Sequence, residues 1–310
     1  MIEPFVDVDW LERHRGEVVV ADCRWYLDGR SGRAAYEDGH VPGAVFVDLD
    51  TALTRNGADP AEAGRHPLPE PEAFAAALGA LGIGDDDTVV AYDDAGGVIA
   101  ARLVWMLRVI GHEAALLDGG LDVWRGELAS GAAVDLRSGN WTKGRPPRSG
   151  GDFTARPWPT ECLATIEEVA AASSAASAPD GDPATATSRK GSASPILIDA
   201  RQRGRFEGEP DEVDPQAGHI PGARSVPCRE NVDADGRLLP VEQLRARFDF
   251  GERSEVISYC GSGVTACLNL LAMEQAGLGP GRLFPGSWSQ WSRDPARPVQ
   301  IGPGPAELTG

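Results

Sequence analysis

Four short apolar runs rich in β-branched residues, Val18 to Ala21, Val89 to Tyr92, Ile196 to Ile198 and Val256 to Tyr259, alternate along the chain with helix-length amphipathic segments. Runs of this length read as buried strands, and their alternation with helices predicts an α/β fold in which a parallel sheet carries helices on both faces. After the last run, Val264 to Gln275 has the length and apolar content of a buried helix, with Gly277 suited to close its C-terminus.

The pattern occurs twice. "VVVADCR", "GHVPGAVFVD", "TVVAYDDAGGVIAARLVWML" and "LLDGGLDVWRGE" in the first half recur in the same order as "PILIDAR", "GHIPGARSVP", "EVISYCGSGVTACLNLLAM" and "LFPGSWSQW" in the second. Four landmarks in one order predict two homologous domains, placed at residues 1–136 and 152–310. "RSGNWTKGRPPRSGG", residues 137–151, reads as the linker between them. "AASSAASAPDGDPATATSRKGSASP" has almost no large apolar residues and cannot bury enough surface to order itself, so residues 175–194 read as a disordered insertion within the second domain.

Composition narrows the partners. A chain of 310 residues, 42% hydrophobic and 25% charged, has the size and make-up of about two soluble globular domains. Its N-terminus lacks a basic start followed by an apolar run, and no stretch approaches the roughly 20 apolar residues of a membrane span, which predicts a cytoplasmic protein. With 47 acidic against 29 basic residues the formal charge is −18, so nucleic acid and membrane surfaces are unsuitable partners. Five cysteines without a CxxC pair fit neither a disulfide framework nor a zinc ribbon, and point to a reduced compartment with at most one working thiol.

That thiol is Cys260 in "VISYCGSGVTACLNLL". It follows a strand, at the carboxyl edge where open α/β sheets bind ligands. Gly261 and Gly263 free the backbone to turn several N–H groups inward, facing the positive end of the following helix, and such a cradle favours an anion at the Cys260 sulfur. A thiolate nucleophile fits there, and so does a persulfide. A phosphatase loop needs arginine six residues after the cysteine, where this chain has Ala266, and "GSGVTA" lacks the Gly-Lys-Ser/Thr ending of a nucleotide loop. An anion site without a strong cation suits a small soft ligand such as sulfane sulfur. Cys267 among leucines reads as core. His40 and His219 read as braces for their Gly-Pro turns, and Trp124, Trp288 and Trp291 as packing anchors at the domain interface or cleft rim.

"CGSGVTA" after a strand, the paired "GHxPGA" motifs and a first copy lacking the cysteine resemble the two-domain rhodanese superfamily, and the loop resembles its 3-mercaptopyruvate sulfurtransferase branch. The resemblance implies two tandem rhodanese-like domains, the first catalytically inactive, with Asp93 or Asp94 standing where the second has Cys260. It implies sulfur transfer through a Cys260 persulfide, from 3-mercaptopyruvate or thiosulfate to a thiol, thioredoxin or cyanide, with no metal or organic cofactor. It further implies an active-site loop of Gly261, Ser262, Gly263, Val264 and Thr265, with Ser262, His66 and Asp50 handling the donor's thiol proton, and Arg205 of "RGRFEG" binding its carboxylate. The second arginine usual further along that loop is missing from "EGEPDEVDPQAGH", and the cationic loop residues of thiosulfate enzymes are missing too, which leaves the donor open; Arg229 and Arg203 are candidates to compensate.

Overall fold

The computed structural model describes residues 1–129, 150–176, 194–210, 213–250 and 255–304. The expected linker thus falls outside the described residues except for its last two positions, and so does most of the expected insertion. Residues 171–176 of that low-complexity stretch are helical, because they complete the helix Ile166–Ala176.

Two parallel sheets form. The first contains β1 (Phe5–Val6), β2 (Val18–Asp22), β3 (Val45–Phe46), β4 (Thr88–Tyr92) and β5 (Ala114–Leu117) in the order β1-β5-β4-β2-β3. The second contains β6 (Ile196–Asp199), β7 (Arg224–Ser225), β8 (Val256–Tyr259) and β9 (Arg282–Leu283) in the order β7-β6-β8-β9. The four strands legible as apolar runs, β2, β4, β6 and β8, are all inner strands; the fifth inner strand, β5, with its two alanines, was not read as one. The short outer strands have too few residues to form a pattern.

The repeated Asp-x-Arg after β2 and β6 has the same buried purpose in both halves. Arg24 is clamped on Asp22 and donates to the carbonyl of Gly39, while Tyr92 donates to Asp22 and accepts from the Val41 amide. In the second half Arg201 is clamped on Asp199 and donates to the Gly218 carbonyl, and the Tyr259 hydroxyl accepts from the Ile220 amide. These bonds fix each Gly-His-x-Pro-Gly turn beside its sheet. His40 and His219 are held to Tyr36 and Phe206, by ring stacking and by Nδ1 contacts of 2.7 Å to their carbonyls.

One apolar core runs through both halves. It joins the helix Ala100–Val109 to the helix Ala266–Gln275, and the interface between the sheets is built on that contact. Nearly every residue of both helices is buried, which explains their all-round apolar composition. Two arginines buried in the first of them are bound across the interface, Arg102 to the Gly263 carbonyl and Arg108 to Glu274. Trp124 is fully buried in a core of the first half and Trp288 and Trp291 in a core of the second, where the indole N–H groups find Glu12, the Gln216 carbonyl and the Pro298 carbonyl; the helix Ser287–Trp291 that carries the latter two also packs on the helix Pro60–Ala63 of the first half. Among the described residues no helix is long and apolar enough to cross a membrane.

Candidate active site

Cys260 sits at the carboxyl end of β8, at the base of a cleft of about 580 Å³ walled by both halves. Its side chain lines the cleft yet is only 1% exposed. The loop from Gly261 to Thr265 then enters the helix Ala266–Gln275. Gly263 has φ +78, and a Cβ there would meet the Pro285 carbonyl at 2.4 Å, so only glycine fits. Its N–H points at the Cys260 sulfur, 3.2 Å away. The Cys260 amide is held in turn by the Ser287 hydroxyl at 3.2 Å. Ser287 alone among the described non-glycine residues has positive φ, 51°, a strained backbone of the kind that recurs at functional sites. Val264 and Thr265 line the cleft, while Cys267 is core, its thiol pushed up to about 12 by burial.

The first half repeats this arrangement with an occupant. Asp93 follows β4 as Cys260 follows β8: the Leu121 amide donates to the Asp93 carbonyl at 2.9 Å, and the Trp288 amide donates to the Cys260 carbonyl at 3.0 Å. Asp93, rather than Asp94, is thus the counterpart of the cysteine. Its buried carboxylate accepts from four main-chain N–H groups, those of Ala95, Gly97, Ile99 and Ala100, at 2.8 to 2.9 Å. Asp94 faces the cleft instead and accepts from the Tyr26 hydroxyl.

The structure brings Ser262 and His66 together from opposite halves, with Ser262 Oγ 2.8 Å from His66 Nδ1. His66 Nε2 lies 3.7 Å from Asp50 Oδ1. Asp50 is on the short helix Leu49–Ala52, is more than half exposed, and is held by the Trp25 indole N–H at 3.0 Å. Trp25 also meets the His66 ring edge-on at 5.5 Å. Burial lowers His66 to about 4, with the nearby charges of Arg102 and Arg65 acting in the same direction. The imidazole is therefore neutral near neutrality, and its Asp50 contact is a polar contact rather than an ion pair.

The site does not lack cations. Arg205 lines the cleft and pairs with Asp214 at 3.3 Å. Arg65, next to His66 in sequence, also lines the cleft and pairs with Asp214. Fully buried Arg102 donates to the carbonyls of Gly263 at 2.8 Å and His66 at 3.0 Å, tying the cysteine loop to the histidine loop. Arg203 is engaged with Glu230, and Arg229 donates to the Ala95 carbonyl. Arg65 and Arg102 escape sequence reading because the first half supplies them through tertiary contact. The one available signal was the adjacency of Arg65 to His66.

A family model described as a rhodanese-like domain matches residues 7–127 and 182–294. The chain is 40% identical over 296 residues to a Pseudomonas aeruginosa protein named "Probable 3-mercaptopyruvate sulfurtransferase", covering 92% of this chain and 93% of that one. It is 33% identical to the 3-mercaptopyruvate sulfurtransferase of Escherichia coli K12, covering 96% and 97%. A crystal structure of an Escherichia coli 3-mercaptopyruvate sulfurtransferase superposes with a TM-score of 0.71 at 31% identity, covering 93% of this chain and 99% of that chain. Two matched segments, each holding one parallel sheet, and relatives of this closeness establish that the chain belongs to the rhodanese family as a tandem of two rhodanese-like domains.

Proposed function

We propose that this protein is a sulfurtransferase that takes sulfur from 3-mercaptopyruvate onto Cys260 and passes it, as the outer sulfur of a persulfide, to an acceptor thiol such as thioredoxin or to cyanide. The observation that carries this reading is the 2.8 Å contact between Ser262 and His66 beside Cys260. A mercaptan donor brings a thiol proton that must be moved, whereas thiosulfate brings none, so a hydroxyl and a neutral imidazole in hydrogen-bond contact favour the mercaptan.

With the ring proton on Nε2, toward Asp50, Nδ1 accepts from the Ser262 hydroxyl. The Cys260 thiolate attacks the donor sulfur. A Cys260 S–S bond forms as the donor C–S bond breaks, and the bonding electrons leave on carbon as the enolate of pyruvate. The donor's thiol proton passes through Ser262 to His66 and is returned to the enolate carbon, giving pyruvate. An acceptor thiolate then attacks the outer sulfur, the S–S bond breaks, and the Cys260 thiolate is restored. No external oxidant or reductant enters this sequence. The Gly263 N–H and the helix behind the loop support the anionic sulfur at each stage.

The test is kcat/KM with 3-mercaptopyruvate and with thiosulfate, using a thiol and cyanide as acceptors, for the wild type and Cys260→Ser. The expected result is a preference for 3-mercaptopyruvate of tenfold or more, about 1.4 kcal/mol of transition-state discrimination, with no turnover or persulfide in Cys260→Ser. A preference for thiosulfate removes the proton-handling role of Ser262, His66 and Asp50. Turnover in Cys260→Ser removes the persulfide.

A further inference from the structure

The cleft needs a place for the donor's charged end; of the second domain's arginines that line it, Arg201 is clamped on Asp199 and Arg229 donates to the Ala95 carbonyl, while Arg205 stands beside the cysteine loop. The glycine beside the nucleophile marks where a second group enters. A Cβ built on Gly261 would lie 3.1 Å from Arg65 Nη2 and 3.7 Å from both Nη1 and Nη2 of Arg205. Two guanidiniums from different domains therefore look onto the same face of the residue that follows Cys260. Both side chains are largely buried, 19% and 23% exposed, which strengthens their pull on an anion relative to a surface arginine.

Their placement is enforced. Asp214, with a fully buried side chain, pairs with Arg65 through Nη1 and with Arg205 through Nη2, and also with Arg293 at 3.4 Å, so the carboxylate aligns the two cleft-lining forks from behind. That leaves Arg65 Nη2 directed at the Gly261 face. The main chain of Arg65 is pinned to the second domain, its amide donating to Ser289 Oγ at 3.0 Å. Gly64 permits this approach: it has φ +79, and a Cβ there would meet the Gly286 carbonyl at 2.5 Å. The segment that carries His66 to Ser262 thus carries Arg65 to the cysteine loop in the same docking.

We propose that Arg65 and Arg205 form a two-domain clamp for the anionic end of the sulfur donor, with Asp214 as the internal counter-ion that aligns them. The proposal rests on the sulfur-transfer reading for the identity of the donor, and on geometry alone for the anion site. It makes Arg65 a substrate-binding residue supplied by the domain that lacks the nucleophile.

The experiment measures protection of Cys260 from alkylation by neutral iodoacetamide, using pyruvate as a carboxylate probe and sulfate as an oxyanion probe. It is combined with KM for 3-mercaptopyruvate, on the full chain and on Arg65→Gln, Arg65→Lys and Arg205→Gln. The expected result is that Arg65→Gln raises both the half-protecting pyruvate concentration and KM by tenfold or more. Arg65→Lys recovers part of the loss, and Arg205→Gln matches Arg65→Gln. Arg65-dependent protection by sulfate in place of pyruvate also supports the clamp and assigns it to a thiosulfate-like donor. Values for Arg65→Gln within twofold of wild type, or no protection of the wild type by either anion, overturn it. If the wild type does not turn over 3-mercaptopyruvate while Arg65-dependent protection persists, the sulfur-transfer reading fails and the anion clamp stands.

Discussion

Replacing His66 with glutamine tests the electrostatics of the site directly. Burial, helped by the positive charges of Arg102 and Arg65, lowers His66 from 6.5 to about 4. At about 1.4 kcal/mol for each pH unit, this makes protonation of the folded protein harder by about 3.5 kcal/mol. Between about pH 4 and pH 6.5 the unfolded chain binds a proton at this position that the folded chain refuses. This contribution to folding stability is therefore complete above the unfolded value of 6.5 and is lost as pH falls toward about 4. Urea denaturation of wild type and His66→Gln, from about pH 5 to about pH 8, reads the difference, because the other four histidines are common to both proteins. The wild type is expected to lose stability relative to the variant as the solution is acidified below the unfolded value. Histidine NMR gives the same quantity residue by residue: the resonance absent in His66→Gln should show no inflection near neutrality. Pyruvate bound at Arg65 would offset one of the charges that lowers His66 and should move its midpoint upward. An inflection at 6 or above in the free protein would falsify the neutral-base assignment, since an imidazolium cannot take the proton from Ser262.

Three further outcomes are expected. Ser262→Ala should lower kcat with 3-mercaptopyruvate by about 100-fold, the usual size of an acid–base contribution, while iodoacetamide labelling of Cys260 stays near the wild-type rate. Arg102→Met should destabilise the protein by about 3 kcal/mol in urea titrations, because buried carbonyls of Gly263 and His66 lose charge-assisted donors, partly offset by release of a buried charge. Asp93→Ala should cost about 3 to 5 kcal/mol, because it takes the acceptor away from four main-chain N–H groups; an unchanged melting temperature would contradict the assignment of that nest.

Four of the five inner strands, the helix after Cys260 and the duplication were legible because each rests on local pattern: an apolar run, a glycine break, a repeated motif. Ser262 was legible because it shares a loop with Cys260. His66 and Asp50 came from resemblance alone, since nothing local distinguishes a histidine in a Pro-rich turn from a surface one. Arg65 and Arg102 were hidden for a stronger reason. Arg65 reaches Asp214 across 149 positions of chain and Arg102 reaches Gly263 across 161, and no periodicity encodes such contacts. The expectation of a cation-poor site failed there, because it counted only charges within the loop. The tryptophans are packing residues, as their spacing suggests, and their sequence equivalence reflects equivalent cores within each half.

The Asp93 nest bears on how the two halves age apart after a duplication. Its four N–H groups are satisfied by a carboxylate attached to the chain, so the first half behaves as a holoprotein whose ligand can never dissociate. The second half turns the same kind of cradle toward the cleft, with Cys260 in place of a built-in carboxylate. One copy has become a permanently liganded scaffold, free to lend side chains such as His66 and Arg65 to its twin, and sulfur loading should alter backbone protection in the Cys260 loop while leaving the Asp93 loop unmoved.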